Sequence, residues 1–188
     1  KGEHPRMGAT DVCPLIPVAN ITMEETAAYA KKLGKRVGEE LGIPVYLYEA
    51  AQEKEARKNL SIIRAGEYEG FFKKIKLPEW MPDFGPAEMP AKTGATVIGA
   101  RDFLVAYNVN LNTTSVRRAN AVAFDIREAG RKVKNAAGVE VVQPGTLKAV
   151  KAIGWYIQEY GIAQVSINLT NINITPMHLA FDECVKSA

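Results

Sequence analysis

Apolar positions along the 188 residues change their period several times, and each change marks an element. Met23, Ala27, Ala30, Leu33, Val37 and Leu41 recur at helical spacing. Thr22 and Glu25 before them form a T-x-x-E capping box, and Gly42 supplies the stop. Short apolar runs at Asp11–Val18 and Pro44–Tyr48 read as strands. Pro14 and Pro17 confine the first to a sheet edge or a short span. Residues 50–75 have helical composition broken at Gly66 and Gly70, so two or three short helices are expected. Leu77–Gly94 then carries four prolines and two glycines with no period at all. A loop this long is either functional or a connector between domains.

A second unit is predicted from Thr96 onward. Asp102–Leu111 reads as a strand, and Thr114 caps a helix running to about Glu128 with Val116, Ala119, Ala123, Phe124 and Ile126 inward. Arg131–Gly145 reads as a polar loop. Val150–Gln158 and Ile162–Thr170 read as strands joined in a hairpin at Glu159-Tyr160-Gly161. Thr175-Pro176 opens a last helix to Val185. Strand, helix, strand, strand, helix is the β-α-β-β-α-β order without its final strand. The expected fold class is therefore α/β (α+β), with two ferredoxin-like subdomains, each a sheet with helices on one face. They cover residues 1–94 and 95–188. The first lacks its start and the second its final strand, so the chain is expected to be a piece of a longer protein.

Asn108, Asn110 and Asn112 alternate with Val105, Tyr107, Val109 and Leu111, and Ser166, Asn168 and Thr170 alternate with Val165, Ile167 and Leu169. One face is apolar and the other is an amide and hydroxyl surface. Asparagine is a poor strand former, so its repetition asks for a reason. Two remain open: a wet sheet face, or a cleft that binds a ligand through Asn108, Asn110 and Asn168.

Composition adds exclusions. A net charge of +3 with interspersed signs gives no case for nucleic-acid binding. No apolar run approaches membrane-spanning length. Cys13 and Cys184 are far apart and read as reduced core cysteines, which suits the cytoplasm. Two histidines and no clustered cysteines leave too few ligands for a zinc site, and no metal is expected. His178 reads as a surface or capping residue. GATVIGAR has P-loop glycine spacing but lacks the Lys-Ser/Thr pair, and neither G-x-G-x-x-G nor G-x-S-x-G occurs.

The segment that carries chemistry is Lys1-Gly2-Glu3-His4-Pro5-Arg6-Met7-Gly8. Two glycines and a proline make it a shaped loop that presents one imidazole, a group suited to proton transfer near neutrality. On the loop alone, a solvated histidine is the favoured reading. The run KGEHPRMGATDVCPLIPV, however, resembles the histidine-bearing segment of glutamate formiminotransferases, the transferase part of formiminotransferase-cyclodeaminases. The resemblance continues through residues 43–51, RAGEYEG (64–70), PDFGP (82–86), TGATVIGARDFLVAYNVNL (93–111) and AIGWYIQEYGIAQVSINL (152–169). It implies that His4 is catalytic; Arg6 and Asp11, close by in the chain, are candidates for its orienting or charge partners. It also implies that folate is bound by Gly85, Pro86, Ala87, Glu88, Met89, Pro90, Ala91, Lys92, Thr93 and Gly94, a stretch that composition alone reads equally as a linker.

The activity so implied moves a formimino group from N-formimino-L-glutamate to tetrahydrofolate, the co-substrate. Lys92 and Arg101 near the junction are candidates to meet carboxylates. Two alternatives stay open: a folate-binding module without turnover, and a related enzyme using a formyl donor. A homodimer is also left open.

Overall fold

The computed structural model describes residues 5–188, and the chain divides into two compact units, 1–102 and 103–188. Unit 1 is built on three parallel strands in the order β1-β3-β2: β1 Val12–Leu15, β2 Val45–Glu49 and β3 Thr96–Ala100. β1 lies at an edge, as Pro14 within it requires. β3 is the central strand, with Val97 opposite both Val12 and Tyr46. The division at Asp102 therefore corrects the boundary expected at Gly94: residues 96–100 complete the first sheet and do not open the second unit.

Helix α1, Met23–Leu41, begins at the predicted capping box and ends at Gly42 in the left-handed conformation. Its inward side is the expected one except at its end: Ala27 and Ala30 are buried, Met23, Leu33 and Val37 are half-buried against the same cluster, Thr26, Gly34 and Gly38 join them, and Leu41 is 66% exposed. It packs with Val45, Leu47, Ile98 and Phe84 on one face of the sheet. The short helices α2, Leu60–Arg64, and α3, Glu67–Lys74, cover the other face. There Ile63, Phe71 and Ile75 meet Tyr46, Tyr48 and Val97. Side chains alternate faces along a strand, so these two clusters are opposite. The one-face cover expected from the sequence does not hold here. A parallel sheet has no wet face to spare, and its strands are buried almost throughout.

The loop from Leu77 to Gly94 is pinned along the β2 edge of this sheet, where Phe84 bridges Val45, by a buried ion pair. Arg57, 3% exposed, donates from Nη2 to Asp83 Oδ2 at 2.8 Å and from Nη1 to the Met81 carbonyl at 3.1 Å. The same carboxylate oxygen accepts from Leu47 N at 2.8 Å and Gln52 Nε2 at 3.1 Å. The charge is thus met by a cation and two neutral donors, the condition under which a buried pair is tolerated. Lys74 staples α2 from outside: its ammonium donates to the carbonyls of Ile62, Ile63 and Ala65 at 2.7–3.0 Å. Burial, reinforced by the Arg57 charge, lowers its pKa to about 8.

Unit 2 has an antiparallel sheet in the order β4-β8-β7, formed by β4 Val105–Asn110, β7 Val150–Ile157 and β8 Ile162–Leu169. Helices α4, Val116–Ile126, and α5, Met177–Ser187, cover one face, the arrangement expected. β4 is an edge among the described residues. Ser115, not Thr114, caps α4, and Val122 takes the inward place expected for Val116, which is 39% exposed. The stretch expected as a loop after α4 contains a hairpin, β5 Arg131–Lys134 paired with β6 Glu140–Gln143. β6 is exposed throughout, so the hairpin carries no core-facing stripe to announce it.

Candidate functional site

In unit 1 the segment after His4 enters β1, and the segment 85–94 enters β3. Because β1 and β3 are parallel neighbours, their entry segments lie side by side. They are hydrogen-bonded to each other: Gly8 bridges Gly94, Ala9 N donates to Thr93 O at 2.8 Å, and Ala95 N donates to Met7 O at 3.1 Å. The approach is close enough to exclude side chains. A Cβ on Gly8 would lie 2.1 Å from Ala95 O, and one on Gly94 would lie 2.5 Å from Met7 O. Gly94 also has φ +67°, which favours glycine.

Met7 is fully buried and anchors the first segment in the core. Asp11 Oδ1 accepts from Met7 N at 2.9 Å, and Asp11 Oδ2 pairs with Arg64 Nη2. Arg6 lies 3.8 Å from Glu69 and 5.9 Å above the Tyr68 ring. The Tyr68 hydroxyl in turn donates to Ala91 O at 2.6 Å. Along 85–94, Met89 is buried in the core, whereas Pro86, Ala87, Glu88, Ala91 and Lys92 are exposed. The segment is thus tethered by the Met89 side chain, by the Ala9 bond to Thr93 O and by the Tyr68 bond to Ala91 O, and turns these exposed residues outward.

Sequence reasoning missed the backing residues Arg64, Tyr68 and Glu69. All three lie in the block RAGEYEG, and its family resemblance is the one mark in the sequence that points to them. His4 lies outside the described residues. Arg101 donates to the Asp102 carbonyl at 2.8 Å.

An apolar cavity of about 220 Å³ opens beside the same entry segments, on the α1 side. Ala9, Cys13, Leu33, Val37 and Thr93 are among its walls. Both cysteines are free thiols, Cys13 half-buried and Cys184 buried. Burial pushes the Cys184 thiol up to about 11.

In unit 2 the register confirms the amide face. Asn168 stands between Ala106 and Lys151, Ser166 between Asn108 and Ile153, and Gln164 between Asn110 and Trp155. Asn108, Asn110 and Asn168 are all exposed on it, and the helices lie on the opposite face. Among the described residues, no group of three or more His, Cys, Asp or Glu is placed to hold a metal ion. No helix there is long and apolar enough to cross a membrane.

Comparison with known proteins covers both units. Residues 1–101 match the family model described as formiminotransferase domain, N-terminal subdomain, and residues 106–188 match that of the formiminotransferase domain. The chain is 51% identical over 187 residues to a formimidoyltransferase-cyclodeaminase of Dictyostelium discoideum. It is 53% identical over 188 residues to the protein of that name from Gallus gallus. Each comparison takes in 100% of this chain and 33% of the relative. Identity to a glutamate formimidoyltransferase of Thermoplasma acidophilum is 44% over 184 residues, 97% of this chain and 56% of that protein. The chain therefore spans a third to just over half of the relatives it matches.

Proposed function

This chain belongs to the formiminotransferase domain family, and on that premise we propose that it forms part of a glutamate formimidoyltransferase. The reaction is transfer of a formimino group from N-formimino-L-glutamate to tetrahydrofolate, giving 5-formiminotetrahydrofolate and L-glutamate in histidine degradation. The observation that supports this reading most is the bridge between the segment following His4 and residues 85–94. The stretch that carries the candidate proton shuttle and the stretch that would hold folate are thereby locked to each other.

In the proposed chemistry, N5 of the pterin attacks the formimino carbon and a new C–N bond forms. The tetrahedral intermediate then collapses, and the bond to the glutamate nitrogen breaks. The attacking amine loses one proton and the departing nitrogen gains one. A single imidazole can take the first and return the second, which is the role assigned to His4. Asp11 is already engaged by Arg64 and by Met7 N, so it shapes the segment that follows His4. Arg6, set against Tyr68 and Glu69, does the same. The proposed setting is the cytosol.

The test is to supply N-formimino-L-glutamate and, separately, N-formyl-L-glutamate with tetrahydrofolate, and to follow pterin absorbance. Conversion with the formimino donor is expected. A preference for the formyl donor, or folate binding without any conversion, overturns the assignment.

A further inference from the structure

The end of α2 in unit 1 is closed by a side chain from another helix. α2 has five residues, too few for a helix that stands on its own. Its last carbonyls have no partner further along the helix. Lys74, the last residue of α3, supplies one. Its ammonium donates to the carbonyls of Ile62, Ile63 and Ala65 at 3.0, 2.7 and 2.9 Å. An ammonium has three N–H donors, and all are taken. The Trp80 ring centroid lies 3.7 Å from the nitrogen and that of Phe71 5.0 Å, so two aromatic rings complete the cage.

What this cage holds in place is Arg64, which the Ile63 and Ala65 carbonyls flank. Arg64 Nη2 pairs with Asp11 Oδ2, and Asp11 Oδ1 accepts from Met7 N at 2.9 Å. Among the described residues, Arg64 Nε is buried without a hydrogen-bond partner. The guanidinium is therefore not placed by a full set of its own bonds, and the backbone that carries it must fix it. That backbone is itself strained. Gly66 has φ +95° and Glu67 has φ +52°, two left-handed residues in succession, the second not glycine. Such a geometry persists only where its surroundings hold it. Beyond this junction Tyr68 reaches Ala91 O, and Tyr68 and Glu69 meet Arg6. The contacts to the candidate site leave from both sides of the junction that Lys74 closes.

The cage requires the charged amine. A neutral amine has two N–H donors and a lone pair, and the lone pair would face a carbonyl oxygen. From α2 the amine meets carbonyls, from its own helix the Phe71 ring, and from the following loop the Trp80 ring. The charged side chain that acts on it is Arg57, itself paired with Asp83. Burial and the Arg57 charge lower its pKa from the ordinary 10.5 to about 8, so the ammonium is given up as pH rises through that value. Between the two values the unfolded chain binds the additional proton, and the contribution of this group to global stability grows with pH. A rate lost in that window through Lys74 is therefore not a loss of the fold.

We infer that Lys74 is a positioning residue for formimino transfer: its charged amine closes α2, and so holds Arg64 against Asp11 and the segment that follows His4. This rests on the transfer reading above. It adds a residue outside both entry segments on which their arrangement depends.

Two independent readouts test it. Initial rates of formimino transfer are measured under reductant at saturating substrates from about pH 7 to about pH 10, spanning the lowered and the ordinary lysine values, with urea midpoints at the neutral end. At neutral pH, Lys74→Met is expected to lower kcat about tenfold or more. With Arg64→Met already present, the same change should cost at most about twofold, because the two residues act in one network. Wild-type kcat should fall as pH rises through about 8, whereas Lys74→Arg, whose guanidinium keeps its charge, should show no such fall. Equal losses from Lys74→Met in the two backgrounds overturn the inference and leave the transfer reading standing. So does a wild-type profile that is flat through pH 8, or a fall shared by wild type and Lys74→Arg. If Lys74→Met shows no cooperative urea transition, the pH comparison decides. Absence of formimino transfer by the wild-type chain overturns both.

Discussion

Gly8→Ala is the sharpest perturbation the structure offers, because it acts where the two entry segments touch. The new methyl would sit 2.1 Å from Ala95 O and 2.7 Å from Thr93 O, against ordinary contacts beginning near 3.4 Å. The neighbours are backbone, which cannot rotate away, so the segments must part by more than an ångström. That separation breaks the bonds Ala9 N to Thr93 O and Ala95 N to Met7 O. Each is worth about 1 kcal/mol net, with more if a buried partner is stranded, so a loss of about 2–4 kcal/mol is expected. A displacement of about 1 Å near reacting groups can cost about 10²-fold in rate.

The assay pairs urea denaturation with initial rates of formimino transfer. Gly70→Ala serves as the control, since a Cβ there meets nothing within 4 Å and the residue lies inside α3. It should be stabilising by about 0.5–1 kcal/mol. If Gly8→Ala matches wild type in both stability and rate, the contact between the entry segments does not organise the site.

Further expectations are independent of that contact. His4→Ala should lower kcat roughly 10²- to 10⁴-fold with little change in tetrahydrofolate affinity, and wild-type turnover would remove His4 from the mechanism. Asp83→Ala should cost about 3–5 kcal/mol by stranding the buried Arg57 guanidinium, as read from denaturation midpoints; a change below 1 kcal/mol would show that the pair is not relied upon. Asn168→Ala should weaken tetrahydrofolate binding by about 1–3 kcal/mol with an unmoved Tm, and the reverse pattern would make the residue structural. Cys184, with its thiol held up at about 11 by burial, stays protonated at pH 8. It should resist iodoacetamide in the native chain and react only on unfolding, and rapid native labelling would contradict its burial.

What could be read from the residues alone divides along the range of the interactions involved. The α1 cap, the β7–β8 hairpin and the amide face are local or follow a single period, and their residues announce them. β3 was misplaced because a proline-rich loop ending at Gly94 looks like a boundary. Its run of five buried residues shows no alternation, the mark of a central parallel strand, but its partners β1 and β2 lie far back in the chain. The β5–β6 hairpin is not announced because its strands bury no residue: even Val141 and Val142 of β6 are exposed, so no buried stripe marks it.

The Arg57–Asp83 pair joins residues 26 positions apart, and nothing in either residue's neighbourhood distinguishes a buried charge from a surface one. The candidate site shows the same division. Arg6, Asp11 and residues 85–94 could be named from resemblance, but their meeting depends on β1 and β3 being neighbours, which is a property of the sheet. Lys74 follows the same rule. In the chain it is the second of two adjacent lysines; only the packing of α3 against the end of α2, which brings three carbonyls and the Trp80 ring to it, turns a common surface residue into a helix cap.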